Sequence, residues 1–167
     1  KANQEEQARM ESYTAAMELL QEKNYDAAIE LFLSLGAYKD SSEQIEIARN
    51  EKTEAENAET YRQAQALLED GAWKQAAELF AQLGDYKDSA QLHENALLEG
   101  KYIDALSLLR SGQQNHGQAR ELFLELGEYK DSAEYASNFV ERALSRVSYS
   151  GSRGREYKFT YDAAGFV

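Results

Sequence analysis

The sequence contains no cysteine and no proline. Without cysteine there is no disulfide, no thiolate nucleophile and no Cys-based zinc or iron–sulfur site. The absence of proline fits a chain in which long helices dominate, because proline breaks an interior turn. Histidine is nearly as scarce: only His93 and His116 offer a neutral-pH base without a large pKa shift. No apolar run approaches the roughly 18–20 residues that a membrane-spanning helix needs, so no membrane insertion is expected within this chain. Positive charge is short as well. Thirty acidic residues face 18 basic ones, a net charge of −12. That balance argues against a nucleic-acid partner, whose backbone rewards clustered Lys and Arg. It suits solubility and a basic partner.

What is present fits a folded domain. Hydrophobic residues make up 43% and charged residues 29% of 167, ordinary for a globular chain and enough for one core or a small repeat array with an appendage. The chain opens on Lys1 rather than methionine and reads as a piece of a longer one, with any leader or anchor outside it. A cysteine-free chain fits the cytoplasm and a membrane-anchored place on a bacterial surface equally well.

Self-similarity is the dominant signal. Leu35-Gly36-Ala37-Tyr38-Lys39-Asp40-Ser41 recurs as Leu83-Gly84-Asp85-Tyr86-Lys87-Asp88-Ser89 and as Leu126-Gly127-Glu128-Tyr129-Lys130-Asp131-Ser132. The heptad reads as a helix stop and a helix start. Glycine just past a helix takes the left-handed conformation that closes the last carbonyls. Aspartate four residues on is a preferred N-cap, and Glu43, Gln91 or Glu134 three residues later completes a capping box. Tyr38, Tyr86 and Tyr129 are expected to pack over the turn.

Upstream of each heptad, Tyr25, Ala28, Phe32 and Leu35 lie on one helical stripe. Trp73, Ala76, Phe80 and Leu83 repeat it, as do His116, Ala119, Phe123 and Leu126. A longer helix before each stripe carries Ala16, Leu19 and Leu20, then Ala64, Leu67 and Leu68, then Ala105, Leu108 and Leu109. The pattern predicts helices near 3–22, 25–35, 41–70, 73–83, 89–110, 116–126 and 132–147, the third with a break near Glu51–Glu56. The last helix, with Ala133, Ala136, Phe139, Val140, Ala143, Leu144 and Val147, is expected to close the third hairpin, since a lone hairpin cannot bury its own apolar face.

The small-x-x-Leu…Gly-x-Tyr/Trp-x-x-Ala-x-x-x-Phe-x-x-Leu pattern resembles the tetratricopeptide repeat, and the Leu-Gly-x-Tyr-Lys-Asp-Ser ending resembles a divergent bacterial subgroup. The likeness covers about residues 10–147. The units exceed the usual ~34 residues, and the Gly-x-Tyr-Lys-Asp turn stands where a proline commonly ends a unit. The resemblance implies an all-α, right-handed α-α superhelix of three hairpins plus a capping helix, with units at about 3–41, 42–89 and 90–132 and the cap at 132–147.

It also implies a binding role, with the first helix of each hairpin lining a groove. Transferred by spacing, the groove residues are Tyr13, Met17 and Leu20, then Tyr61, Gln65 and Leu68, then Tyr102, Leu106 and Leu109. Each trio follows i, i+4, i+7 and so forms one stripe. Family members that grip an acidic peptide C-terminus use Asn, Lys and Arg at such places; this chain has none there, so an apolar helix or extended peptide is the expected partner. The alternatives are that these residues pack as core, and that the solenoid is a stalk with no dedicated ligand.

From Ser148 the character changes. Ser148–Gly154 has linker composition, with the linker placed at 148–156. Tyr157, Phe159 and Tyr161 then alternate with polar residues as on a strand. Tyr157–Gly165 resembles one tyrosine–aspartate repeat unit of bacterial surface and toxin-associated shells, and residues 157–167 are expected to be a β-prone tail, the start of a further domain or a self-association segment.

No catalytic constellation stands out. His93-Glu94 lacks the second histidine of a zinc-protease helix, and His116 occupies the packing place of Tyr25 and Trp73. No phosphate-binding glycine loop or calcium loop is present. Glu54, Glu56 and Glu59 read as a solvated face. Neither an enzyme nor a cofactor or metal is expected.

Overall fold

The computed structural model describes residues 2–145, with side chains from 3 to 138. Among the described residues the chain is all-α, with no strand. Seven helices follow in order: α1 (Ala2–Gln21), α2 (Tyr25–Leu35), α3 (Ser41–Glu69), α4 (Trp73–Leu83), α5 (Ser89–Arg110), α6 (His116–Leu126) and α7 (Ser132–Ser145), with a 3-10 turn at Gln113–Asn115 before α6. The helical-repeat character read from the sequence is present. The expected break near Glu51–Glu56 is not. α3 is one helix of 29 residues, because Glu51–Glu56, where this repeat runs five residues longer than the next, holds neither proline nor glycine. Linker and tail, at 148–167, lie outside the described residues, as do the side chains of Phe139, Val140, Ala143, Leu144 and Val147.

Packing divides the chain into two units, 1–62 and 63–167. The division falls inside α3 and so inside the repeat unit expected at 42–89.

In the first unit, α1, α2 and the start of α3 share one core. Ala16 and Leu20 of α1, Ala28 and Phe32 of α2, and Ile45 and Ala48 of α3 are buried together. Small Ala16, Ala28 and Ala48 let the helix backbones approach, and Phe32 fills the space beside them, with no exposed surface. An 11-residue helix such as α2 is marginal alone in water, so this burial is what holds it.

In the second unit, α4 packs on α5, α5 on α6 and α6 on α7. Tyr102 and Ala105 of α5, Ala119, Phe123 and Leu126 of α6, and Ala136 of α7 form its buried cluster. Within α5, Gly100 has a packing reason: a Cβ there would meet the Trp73 Cβ at 3.2 Å.

The recurring heptad is two consecutive turns. In each copy the Tyr N–H bonds to the Leu carbonyl three residues back, at 3.3, 3.1 and 3.1 Å for Tyr38, Tyr86 and Tyr129. The Ser N–H then bonds to the Tyr carbonyl, at 3.1 Å in all three. The glycine carries the first turn. Gly36, Gly84 and Gly127 have φ of 62°, 57° and 56° with ψ of −127°, −120° and −119°. That corrects the expected left-handed helical cap. The angles are those of the first central residue of a type II′ turn, a region essentially limited to glycine. The second turn places Lys39, Lys87 and Lys130 at φ of 49–51°, a conformation uncommon for a residue with a side chain.

The aspartate also departs from expectation. Its carbonyl accepts the first helical bond, from Gln44, Leu92 and Tyr135 N–H respectively, so its backbone stands at the N-cap. Yet Asp88 makes no side-chain bond to the helix start, and no capping box forms at α5. The carboxylates of Asp40 and Asp131 are engaged elsewhere.

Candidate functional site

The candidate face is the first-helix stripe, and two of its tyrosines, Tyr13 and Tyr102, prove to be fastened from below. In the first unit the Tyr13 hydroxyl donates to Asp40 Oδ1 at 2.5 Å, while Gln44 Nε2 donates to Asp40 Oδ2 at 3.0 Å. The Tyr13 ring meets Phe32 edge-on at 5.7 Å and Tyr38 at 6.1 Å. Lys39 Nζ lies 4.4 Å from its centroid, a favourable cation–π geometry. Tyr38 reaches back to donate to Glu6 on α1 at 2.9 Å.

The second unit repeats the arrangement. The Tyr102 hydroxyl donates to Asp131, and its ring meets Phe123 and Tyr129 edge-on, each at 6.1 Å. Lys130 Nζ sits 4.8 Å from the Tyr102 centroid. Tyr129 donates to Glu99 at 2.6 Å, and Lys130 reaches both oxygens of that carboxylate, at 2.6 and 2.5 Å. Thus the Tyr-Lys-Asp turn that begins one first helix clasps the tyrosine of the first helix before it.

The ionisation equilibria follow from these bonds. Donation to Asp131, burial and the Asp131 charge push the Tyr102 phenol up to about 12. Burial and donation to Glu99 do the same for Tyr129, also to about 12. Donation to Asp40 raises Tyr13, and donation to Glu6 raises Tyr38. Asp40 is held below the usual carboxylate range by the bonds it accepts from Tyr13 and Gln44. Burial alone would raise Glu99, but Lys130 and Tyr129 outweigh it and the carboxyl ends lowered.

Among the six residues singled out from sequence, Tyr102 is buried, at 8% exposure. Tyr13, Met17, Tyr61 and Leu106 are half-buried, and Gln65 alone is exposed. Tyr13 and Met17 come together on the first unit's core. Tyr102 and Leu106 come together on the second's. Tyr61 and Gln65 lie on either side of the division within α3. Of the deeper stripe members, Leu20 is buried while Leu68 and Leu109 are half-buried. Sequence reasoning missed Asp40, Asp131, Lys39, Lys130, Glu6 and Glu99 as partners of these rings. The signal available was that a first-helix tyrosine and a turn Tyr-Lys-Asp recur together in every unit.

Some apolar surface remains beside the stripe. Met10, one turn before Tyr13, is 43% exposed, and Leu98, one turn before Tyr102, is 37% exposed. Both histidines are engaged with backbone. His93 Nδ1 lies 2.8 Å from the Ala77 carbonyl and must carry the proton. His116 Nε2 lies 3.2 Å from the Leu109 carbonyl. Among the described residues, no three His, Asp or Glu side chains converge as a metal site, and no helix is long and apolar enough to cross a membrane.

Comparison with protein-family models yields no match, and neither the curated proteins nor the solved structures yield one.

Proposed function

We propose that this chain is a non-enzymatic protein-interaction module, of the tetratricopeptide-like superhelical kind, that takes a peptide or protein segment on the first-helix faces of its hairpins. The observation that carries this reading is the apolar surface left within one turn of the clasped tyrosine in both units, at Met10, three residues before Tyr13, and at Leu98, four residues before Tyr102. Met10 with Met17, and Leu98 with Leu106, continue the stripe outside a core that is already filled. The Tyr13 and Tyr102 hydroxyls are committed to aspartates, so at these two places a partner would meet ring edges and aliphatic side chains rather than free phenols. Such a face suits an apolar helix or extended segment.

A spacer or stalk is the second reading. The Tyr13–Asp40 and Tyr102–Asp131 clasps support it, because they spend the most distinctive stripe residues on internal fastening.

Selection of binders from a random peptide library separates the two. The interaction reading expects binders that lose affinity with Met17→Glu or Leu106→Glu and keep it with Leu33→Glu or Leu124→Glu, the exposed leucines of the second helices. Binders that map to Leu33 or Leu124, or a library that yields none, would put the stalk ahead.

A further inference from the structure

The chain's two methionines stand seven residues apart on α1, so they form one row about 10 Å long on its surface. Met10 is exposed and Met17 half-exposed. Methionine is unbranched and polarisable, which lets such a row adapt to varied apolar side chains. Glu11 and Glu18 form a parallel row, turned about 100° around the same helix. Both are exposed. Glu11 accepts only the neutral Gln7 amide, at 3.0 Å, and among the described residues neither carboxylate pairs with a cation.

On α1 itself Arg9, two residues before Glu11, forms an ion pair with neither carboxylate, and cations of α3 in the same unit are engaged elsewhere. Lys52 is held by Asp26, Arg49 by Glu46 and Arg62 by Glu59, while Lys39 lies over Tyr13 on the other flank of the methionine row. The methionine row is therefore flanked on one side by unneutralised negative charge, in a chain of net charge −12.

We infer that this α1 face takes a cationic amphipathic protein segment, with apolar side chains on Met10 and Met17 and Lys or Arg facing Glu11 and Glu18. The inference rests on the interaction reading and names its partner class. The two rows divide the work. Apolar contact supplies most of the affinity, while the exposed carboxylates speed encounter and reject acidic segments.

The test uses the full chain and two fluorescent synthetic helices of about five turns, one with leucine and lysine faces, the other with glutamate in place of lysine. Anisotropy is read at low and at physiological salt. The cationic helix is expected to bind, more weakly as salt rises, and the anionic one at least about tenfold more weakly. Glu11→Lys with Glu18→Lys is expected to remove that preference. Met10→Ser with Met17→Ser is expected to weaken both helices. Glu78→Lys with Glu121→Lys, exposed positions on α4 and α6 with the same change of net charge, controls for bulk attraction and should leave the preference in place.

If the control pair acts as strongly as the α1 pair, attraction is to the whole acidic molecule and the inference falls. If both helices bind equally and both depend on Met17, the interaction reading stands and the cationic preference is wrong. If neither helix binds, both readings fall on this face. Circular dichroism of each variant keeps misfolding from passing as lost binding.

Discussion

Replacing Tyr102 with phenylalanine isolates the clasp. The ring keeps its edge-on contacts with Phe123 and Tyr129 at 6.1 Å, and only the hydroxyl that donates to Asp131 is lost. A hydrogen bond to a charged group contributes about 1.5–3 kcal/mol. Asp131 is exposed, so water replaces the lost donor and the low end applies. The expected loss is therefore about 1.5 kcal/mol, or roughly 3–6 °C in Tm for a chain of this size. Urea unfolding gives the free energy, and a double-mutant cycle with Asp131→Asn gives the coupling, expected at about 1 kcal/mol.

The pH dependence has a definite sign. Folding raises the Tyr102 phenol from 10.0 to about 12, so its contribution is whole below pH 10 and is lost as pH rises through 12. Part of that displacement is repulsion between a phenolate and Asp131, which the neutral protein never feels, so the bond is worth less than the full displacement. The variant should unfold at alkaline pH with a flatter profile than the parent. A loss under about 0.3 kcal/mol with no coupling to Asp131 would refute the clasp as a fastening.

Three further outcomes follow from the same geometry. Gly127→Ala meets no atom within 4 Å, so its whole cost is backbone strain in the type II′ turn, about 1–3 kcal/mol, seen as a lower urea midpoint with an unchanged m-value. Ser41, Ser89 and Ser132 are all fully buried, but only the Ser41 hydroxyl bonds, to the Tyr38 carbonyl at 2.6 Å, while the other two have no partner; Ser41→Ala should cost about 1 kcal/mol and Ser89→Ala or Ser132→Ala be neutral or stabilising in thermal unfolding. Glu99→Gln removes the charge that Lys130 and Tyr129 share, at about 1–2 kcal/mol. Because folding lowers the Glu99 pKa below 4.5, its contribution is whole above that pH and lost as pH falls through the folded value, so parent and variant should converge in acid unfolding series.

The recurring heptad and the apolar stripes placed six of the seven helix starts on the residue observed, because glycine, small residues and large aromatics at fixed spacing constrain backbone and packing locally. Phe32, Phe80 and Phe123 were legible as core for the same reason: each sits at the centre of a stripe and is buried completely. α3 was harder, since the repeat is five residues longer there than in the next unit and such an insertion reads as a break, while Glu51–Glu56 holds no proline or glycine and continues the helix. The turn was half legible. Positive φ at glycine follows from sequence, but the ψ near −120° that makes a type II′ turn rather than a helical cap does not.

The candidate face shows the boundary most sharply. Periodicity put Tyr13 beside Met17 and Tyr102 beside Leu106, and each pair lies on its unit's core. Whether the tyrosine hydroxyls face a partner or the protein's own aspartates depends on residues 27 and 29 positions away, which no helical period connects. The sequence by itself determined the helices, their apolar sides and the repeated turn, since these arise from contacts within a few residues. Only the tertiary structure decided that the turn's Tyr, Lys and Asp close over the first helix of the hairpin, because that contact exists only once the hairpin's two helices have packed.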